Sequence, residues 1–228
     1  GNAAGAVVGQ SVPVTNFRSA GSPQGPSLAA PSPSLAVLQA VVSPEEHSDA
    51  AGAVVRDVEI DTLDLAHGAF AGLIMAEASA ALETHFGRRL GEASLEVQMF
   101  VQVGRALQAR HYLAAQRQRT RTYDAVRRVL ETVDLLAFPT TICAPPRPDE
   151  YVLDVGGVER TAMEAIAWLT WLANFTGLPA ISVPCGFTGA GLPIGLQLAG
   201  RAFADADVLT LAHAYQQRTD WHRRRPPA

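Results

Sequence analysis

The sequence predicts an α/β fold, a sheet core flanked by helices, and three observations carry that prediction. A continuous apolar run, Leu135-Leu136-Ala137-Phe138, follows a long helical pattern and precedes a loop with four prolines, as for a strand buried on both faces. Two further β-rich runs, Ala180–Val183 and Ile194–Leu198, are joined by a Gly-containing turn and read as one strand–turn–strand unit. Helical patterns stand on either side of these runs, which is the alternation of a layered α/β domain.

Taken in order, residues 1–36 are rich in Gly, Ala, Ser and Pro with little periodicity, and the whole of 1–42 is read as a low-complexity loop or disordered segment. Ser43-Pro44-Glu45-Glu46 is a capping box that opens a short helix ending near Gly52. Val54–Ile60 reads as a strand with Val54, Val58 and Ile60 on one face. From Leu65 to about Phe86 apolar residues recur at Phe70, Leu73, Ile74, Ala78 and Leu82, close to helical spacing, and Gly87 ends the pattern. Glu77 interrupts this Ala-rich helix and reads as exposed surface, a cleft-facing polar residue being the alternative. A second helix is expected from about Ser94 to Gly104 and a third from Gln108 to Val133, with Tyr112, Leu113, Tyr123, Val126 and Leu130 as its apolar stripe. Arg110, Arg117, Arg121, Arg127 and Arg128 occupy its other faces. Aromatic interleaving and a binding motif are missing, so a solvated face is preferred to a nucleic-acid helix. Residues Thr161–Ala173 are helical again, and a last helix starts at Asp205 or Ala204 and runs to about Arg218. Proline cannot donate to a ladder, so Pro179, Pro184 and Pro193 are expected at strand edges. The arginines at 223, 224 and 225 are expected in a solvated tail.

Composition narrows the function classes. The 228 residues are 48% hydrophobic with a net charge of −4, which offers no general attraction to nucleic acid or to an anionic membrane. No uninterrupted apolar run of about 18 residues is present, so no transmembrane helix and no membrane partner are expected. The two cysteines, Cys143 and Cys185, sit in apolar surroundings without paired spacing, as small hydrophobes of a reducing compartment, hence a cytoplasmic expectation. The chain opens on Gly1 instead of methionine, which raises the expectation of a processed product or a piece of a longer chain. All 18 basic residues are arginine, and no lysine occurs anywhere.

The string Asn174-Phe175-Thr176-Gly177-Leu178-Pro179-Ala180-Ile181-Ser182-Val183-Pro184-Cys185-Gly186-Phe187, followed by Gly191-Leu192-Pro193-Ile194-Gly195-Leu196-Gln197-Leu198-Ala199-Gly200-Arg201, closely resembles the C-terminal part of the amidase signature family. Upstream, Asp134-Leu135-Leu136-Ala137-Phe138-Pro139-Thr140-Thr141 resembles that family's buried strand ending in Pro-Thr. Downstream, Ala204–Ala212 and Thr219-Asp220-Trp221-His222 resemble its last helix and tail. Motifs of this kind are also similar to those of the glutamyl-tRNA(Gln) amidotransferase A subunits within the family. The resemblance implies a mixed sheet flanked by helices, incomplete here, with residues 43–228 as the C-terminal part of an amidase domain. It also implies cofactor-free hydrolysis of an amide C–N bond through an acyl-serine.

That chemistry needs a nucleophile, a proton acceptor and oxyanion donors. The resemblance places them in an Asp-x-Gly-Gly-Ser-x-Arg segment, a Gly-Ser-Ser-Gly-Gly loop and an upstream lysine. No Asp-x-Gly-Gly-Ser string and no lysine occur in this chain, and Gly21–Ala30 only faintly echoes the Ser-rich loop, with Pro23 where a serine would stand. No catalytic residue is therefore assigned. Ser182 reads as core, the six histidines form no triad motif, and no metal-ligand spacing appears. What the chain can offer is substrate contact. The face of the helix before Asn174 that the resemblance assigns to the pocket carries Trp171, Trp168 and Glu164, with core packing as the alternative. Thr140 and Thr141 follow a strand end, where α/β proteins commonly place ligand contacts.

The expectation is thus the C-terminal portion of an amidase, supplying scaffold and part of a pocket for a small amide and inactive alone, through truncation, frameshift or an incomplete gene. The alternative is a non-catalytic remnant that binds a second subunit, or one half of a split amidase whose N-terminal half docks on it.

Overall fold

The computed structural model describes Ala6–Val8, residues 58–60 and residues 63–225. The capping box at 43–46, the echo at 21–30 and most of the strand expected at 54–60 lie outside the described residues; Val58–Ile60 carry no strand. The chain divides into two units, residues 61–125 and the remainder.

The first unit is helical. It holds α1 (Leu63–Phe86), a 3₁₀ segment (Gly87–Glu92), α2 (Leu95–Ala106) and most of α3 (Ala109–Leu130). Ser94 caps α2, its Oγ accepting from the Val97 N–H at 3.5 Å, which satisfies one of the donors a helix start leaves open. The approach of α2 to α1 depends on Gly104. A Cβ there would stand 2.2 Å from the Met75 carbonyl oxygen and 2.7 Å from Ser79 Cβ. Arg105 pairs with Glu83 across the same contact. Glu77 accepts a hydrogen bond from the Tyr112 hydroxyl at 2.9 Å, so it is exposed yet engaged. The five arginines named on α3 are exposed, as its pattern required.

By length and composition alone, the helical stretch Leu65–Glu92 is apolar enough to cross a membrane. Alanines and glycines keep its mean hydropathy high around His67, Glu77 and Glu83.

The second unit holds the sheet. Its strands are β1 (Ala6–Val8), β2 (Leu135–Pro139), β5 (Ala180–Phe187) and β6 (Pro193–Gly200), in the order β1-β2-β6-β5; a separate hairpin pairs β3 (Val152–Val155) with β4 (Val158–Thr161). β1 runs parallel to β2, while β2/β6 and β5/β6 are antiparallel, so the sheet is mixed as expected. β1 stands where an irregular segment was read, on an Ala-Val-Val run whose branched residues suit a pleated strand.

β2 is buried over Leu135–Phe138, its last residue Pro139 half-buried. Alternation splits the sheet into two faces. One face packs Leu135, Ala137, Val183, Leu196 and Leu198 against Val208 and Ala212 of α5 (Asp205–Arg218), with Ile181, Cys185, Leu211 and Tyr215 around them. The other face carries Leu136, Phe138, Ser182, Gly195, Gln197 and Ala199.

α4 (Ala162–Thr176) starts on Thr161, whose hydroxyl accepts from the Glu164 N–H at 3.1 Å. It stops at Gly177, which takes the left-handed conformation (φ 74°) that a side chain disfavours. The two apolar runs form longer strands than their prolines suggested. Pro193 opens β6, but Pro184 lies within β5, opposite Gly195, whose carbonyl turns to Thr140 of β2, so the missing N–H faces away from β6 and costs the ladder nothing. Arg224, expected in a solvated tail, lies over the rings of Trp221 (4.3 Å) and Phe187 (5.6 Å) while remaining exposed.

Candidate functional site

The described polar side chains of the second unit converge at two places. At the C-terminal end of β2, the ladder continues one residue beyond the strand: the Thr140 N–H donates to the Gly195 carbonyl at 2.9 Å. The Thr140 side chain then reaches across β6 to β5, where its Oγ1 lies 2.5 Å from Ser182 Oγ. The bridge exists because the residue between them on β6 is glycine. A Cβ on Gly195 would fall 2.6 Å from Thr140 Oγ1 and 2.9 Å from Ser182 Oγ. Ser182 is exposed, which corrects its assignment to the core; in a strand of period two it belongs to the face opposite Ile181 and Val183. Its register partner Gln197 is only 6% exposed, and among the described residues Gln197 Nε2 has no hydrogen-bond acceptor. Thr141 is turned away from this pair, its hydroxyl donating to the Cys143 carbonyl at 2.8 Å.

The second place is the junction of β4 with α4. Arg160 and Glu164 form an ion pair at 2.7 Å, and the Arg160 guanidinium stacks over the Trp168 ring at 3.8 Å from its centroid. Arg160 is the residue the sequence reading missed. The signals were the Arg-Glu pair at four-residue spacing and a tryptophan one helical turn further on. Of the expected contacts on α4, Glu164 and Trp168 therefore share one cation. Trp171 sits apart from them as a 2% exposed core residue, edge-on to Phe175 at 5.6 Å, with its Nε1 donating to the Trp168 carbonyl at 2.6 Å. It presents no open face to a ligand.

Nucleophile chemistry finds little support among the described groups. Ser182 Oγ is paired with a threonine and not with a histidine. Burial pushes the Cys185 thiol up to about 11, and burial followed by the nearby Glu150 charge pushes Cys143 up as well. A thiol raised in this way holds little thiolate at neutral pH. Among the described residues no group of three or more His, Cys, Asp or Glu side chains is placed to hold a metal ion.

The raised thiol yields a prediction. At pH 8, iodoacetamide modifies Cys185 in the folded chain about a hundredfold more slowly than in the urea-unfolded chain, read by mass spectrometry. The folded state holds this proton more tightly than the unfolded state, so the associated stability is present below about pH 9 and is lost as pH rises toward about 11. Tyr215, raised by burial, continues the same trend at higher pH. The urea midpoint is expected to fall between pH 8 and pH 10.5; a midpoint that rises over this interval contradicts the assignment.

The family model described as Amidase matches residues 26–209. The A subunit of the glutamyl-tRNA(Gln) amidotransferase of Microcystis aeruginosa (strain NIES-843 / IAM M-2473) is 40% identical over 116 residues, 51% of this chain and 23% of that protein. Its counterpart in Neisseria meningitidis serogroup C (strain 053442) is 31% identical over 214 residues, 83% of this chain and 43% of that protein. Among solved structures, a crystal structure of an amidase superposes with a TM-score of 0.69 at 25% identity, over 75% of this chain and 39% of that chain. The crystal structure of the glutamyl-tRNA(Gln) amidotransferase A subunit from Thermotoga maritima gives 0.51 at 30% identity, over 75% and 37%. The chain thus spans between about a quarter and less than half of the length of these relatives.

Proposed function

Since the chain belongs to the amidase family, we propose that it is the C-terminal portion of an amidase-signature serine hydrolase, contributing scaffold and substrate contacts to amide hydrolysis and inert by itself. The observation that carries this reading is the absence of lysine from a chain whose family resemblance calls for a Ser-Ser-Lys relay. A hydroxyl does not attack an amide at useful rates without a group to take its proton. Arginine, charged at all accessible pH values, is no substitute.

In this reading Thr140 and the Arg160–Glu164–Trp168 cluster face the substrate. Trp171 backs the wall from the core, and Thr141 shapes the loop after β2. The substrate is a small uncharged amide, and no cofactor takes part. The two unbridged cysteines support a reducing, cytoplasmic compartment.

The experiment incubates the purified chain with a chromogenic anilide and a serine-directed fluorophosphonate, alone and with the N-terminal half of an amidase-family enzyme. The chain alone is expected to show neither turnover nor labelling. Label on the added half, accompanied by turnover, supports a split enzyme. Covalent labelling of the chain by itself overturns the proposal.

A second reading, a non-catalytic interaction protein, is favoured by the surface of α2. Leu95, Met99 and Val103 recur every four residues and are 67%, 58% and 47% exposed, an apolar stripe on the outer face of the helix and a feature of interaction surfaces.

A further inference from the structure

We propose that the Thr140–Ser182 hydroxyl pair recognises the amide group of a neutral substrate, with Ser182 as an additional specificity residue and Gly195 as the clearance that lets the pair form. The inference rests on the amidase reading and assigns that site a residue on a strand otherwise apolar around it.

Three strands each supply one part: Thr140 beyond β2, Gly195 on β6 and Ser182 on β5. At 2.5 Å one hydroxyl donates to the other, which fixes the rotor of the donating group. The accepting hydroxyl keeps its own proton to give outward, and the donating one keeps its lone pairs. The pair therefore offers one donor and one acceptor side by side. This is the complement of an amide, whose carbonyl accepts and whose N–H donates, and it is a poor complement for a carboxylate, which only accepts.

The ion pair that fastens β2 to β6, Asp134 with Arg201 at 3.0 Å, stands before the first residue of β2, about 20 Å of strand from Thr140. Ser182 is exposed, so the pair is open to a ligand. The pair is also specifically accommodated, since any side chain at 195 would occupy the space of both hydroxyls.

The test titrates the full ¹⁵N-labelled chain with benzamide and, separately, with benzoate, following backbone amide resonances of Thr140, Ser182 and Gly195. Saturable shifts at all three are expected with benzamide and not with benzoate. S182A is expected to weaken benzamide about five- to tenfold, the worth of one hydrogen bond, and S182T to restore it. G195A is expected to abolish the shifts. An unchanged thermal midpoint in S182A separates recognition from a purely structural role. Equal binding of benzoate, unaltered binding by S182A, or shifts confined to other residues such as Trp168 overturns the proposal, as does no shift anywhere. These outcomes leave the labelling experiment free to uphold the amidase reading, and failure of labelling leaves the titration intact.

Discussion

Phe138→Ala is expected to cost about 3–5 kcal/mol, the range for removing a fully enclosed aromatic ring, and to leave little folded protein at 37 °C. Phe138 is 0% exposed and lies in the middle of the mixed sheet, paired to Gln197. Loss of the ring opens a void on the sheet face that carries Leu136 and Phe138, above strands whose own hydrogen bonds hold them in place, so the site can collapse only in part. Urea unfolding followed by circular dichroism measures the loss. Phe138→Leu, which keeps most of the volume, is the companion variant and should lose distinctly less. A Phe138→Ala midpoint within experimental error of the parent would show that the ring is not part of the core.

Gly104→Ala is expected to destabilise the helical unit by about 1–3 kcal/mol, against the direction that helix propensity alone would give. Alanine normally gains about 1 kcal/mol over glycine inside a helix. Here the added carbon would stand 2.2 Å from the Met75 carbonyl oxygen, and a backbone atom cannot rotate out of the way. α2 must therefore move off α1, weakening the contact that carries the Glu83–Arg105 pair. The internal control is Gly68→Ala on α1, where nothing lies within 4 Å and propensity should win. Hydrogen exchange over residues 95–106 reads both variants: protection falls in the first and holds or rises in the second. If both variants stabilise, the two helices do not pack through this glycine.

The elements legible in the sequence were those whose burial writes a period into it. β2, α3, α4 and α5 stand close to the bounds their patterns imply, since each buries part of an apolar run or stripe, although Leu113, expected in the stripe of α3, is exposed, as are Met163 on α4 and Leu209 on α5. The β3–β4 hairpin was not anticipated, because both strands are half exposed and neither Val-Leu-Asp-Val nor Val-Glu-Arg-Thr alternates apolar with polar residues. Its one signal was Gly156-Gly157, two residues at positive φ in a two-residue turn. For the candidate site, the Pro-Thr-Thr step led to Thr140, but the partner across the sheet was hidden. Ser182 is flanked by Ile181 and Val183, and overall apolarity was weighed there above strand alternation. Trp171 shows the converse difficulty: helical spacing cannot tell a ring that lines a cleft from one that fills the core one turn away. Arg160 lay just before the helix that was expected, so its stacking on Trp168 was invisible until β4 delivered it.

The position of Pro184 reaches beyond the packing of one domain. Among the described residues β5 is the outermost strand on its side of the sheet, and such a margin invites a foreign segment to add on and seed fibres. A residue with no N–H, set at a kink in the ladder, denies an incoming strand a regular row of donors over that half of β5. The same irregularity that lengthened the strand past its expected end thus discourages the molecule from polymerising through it.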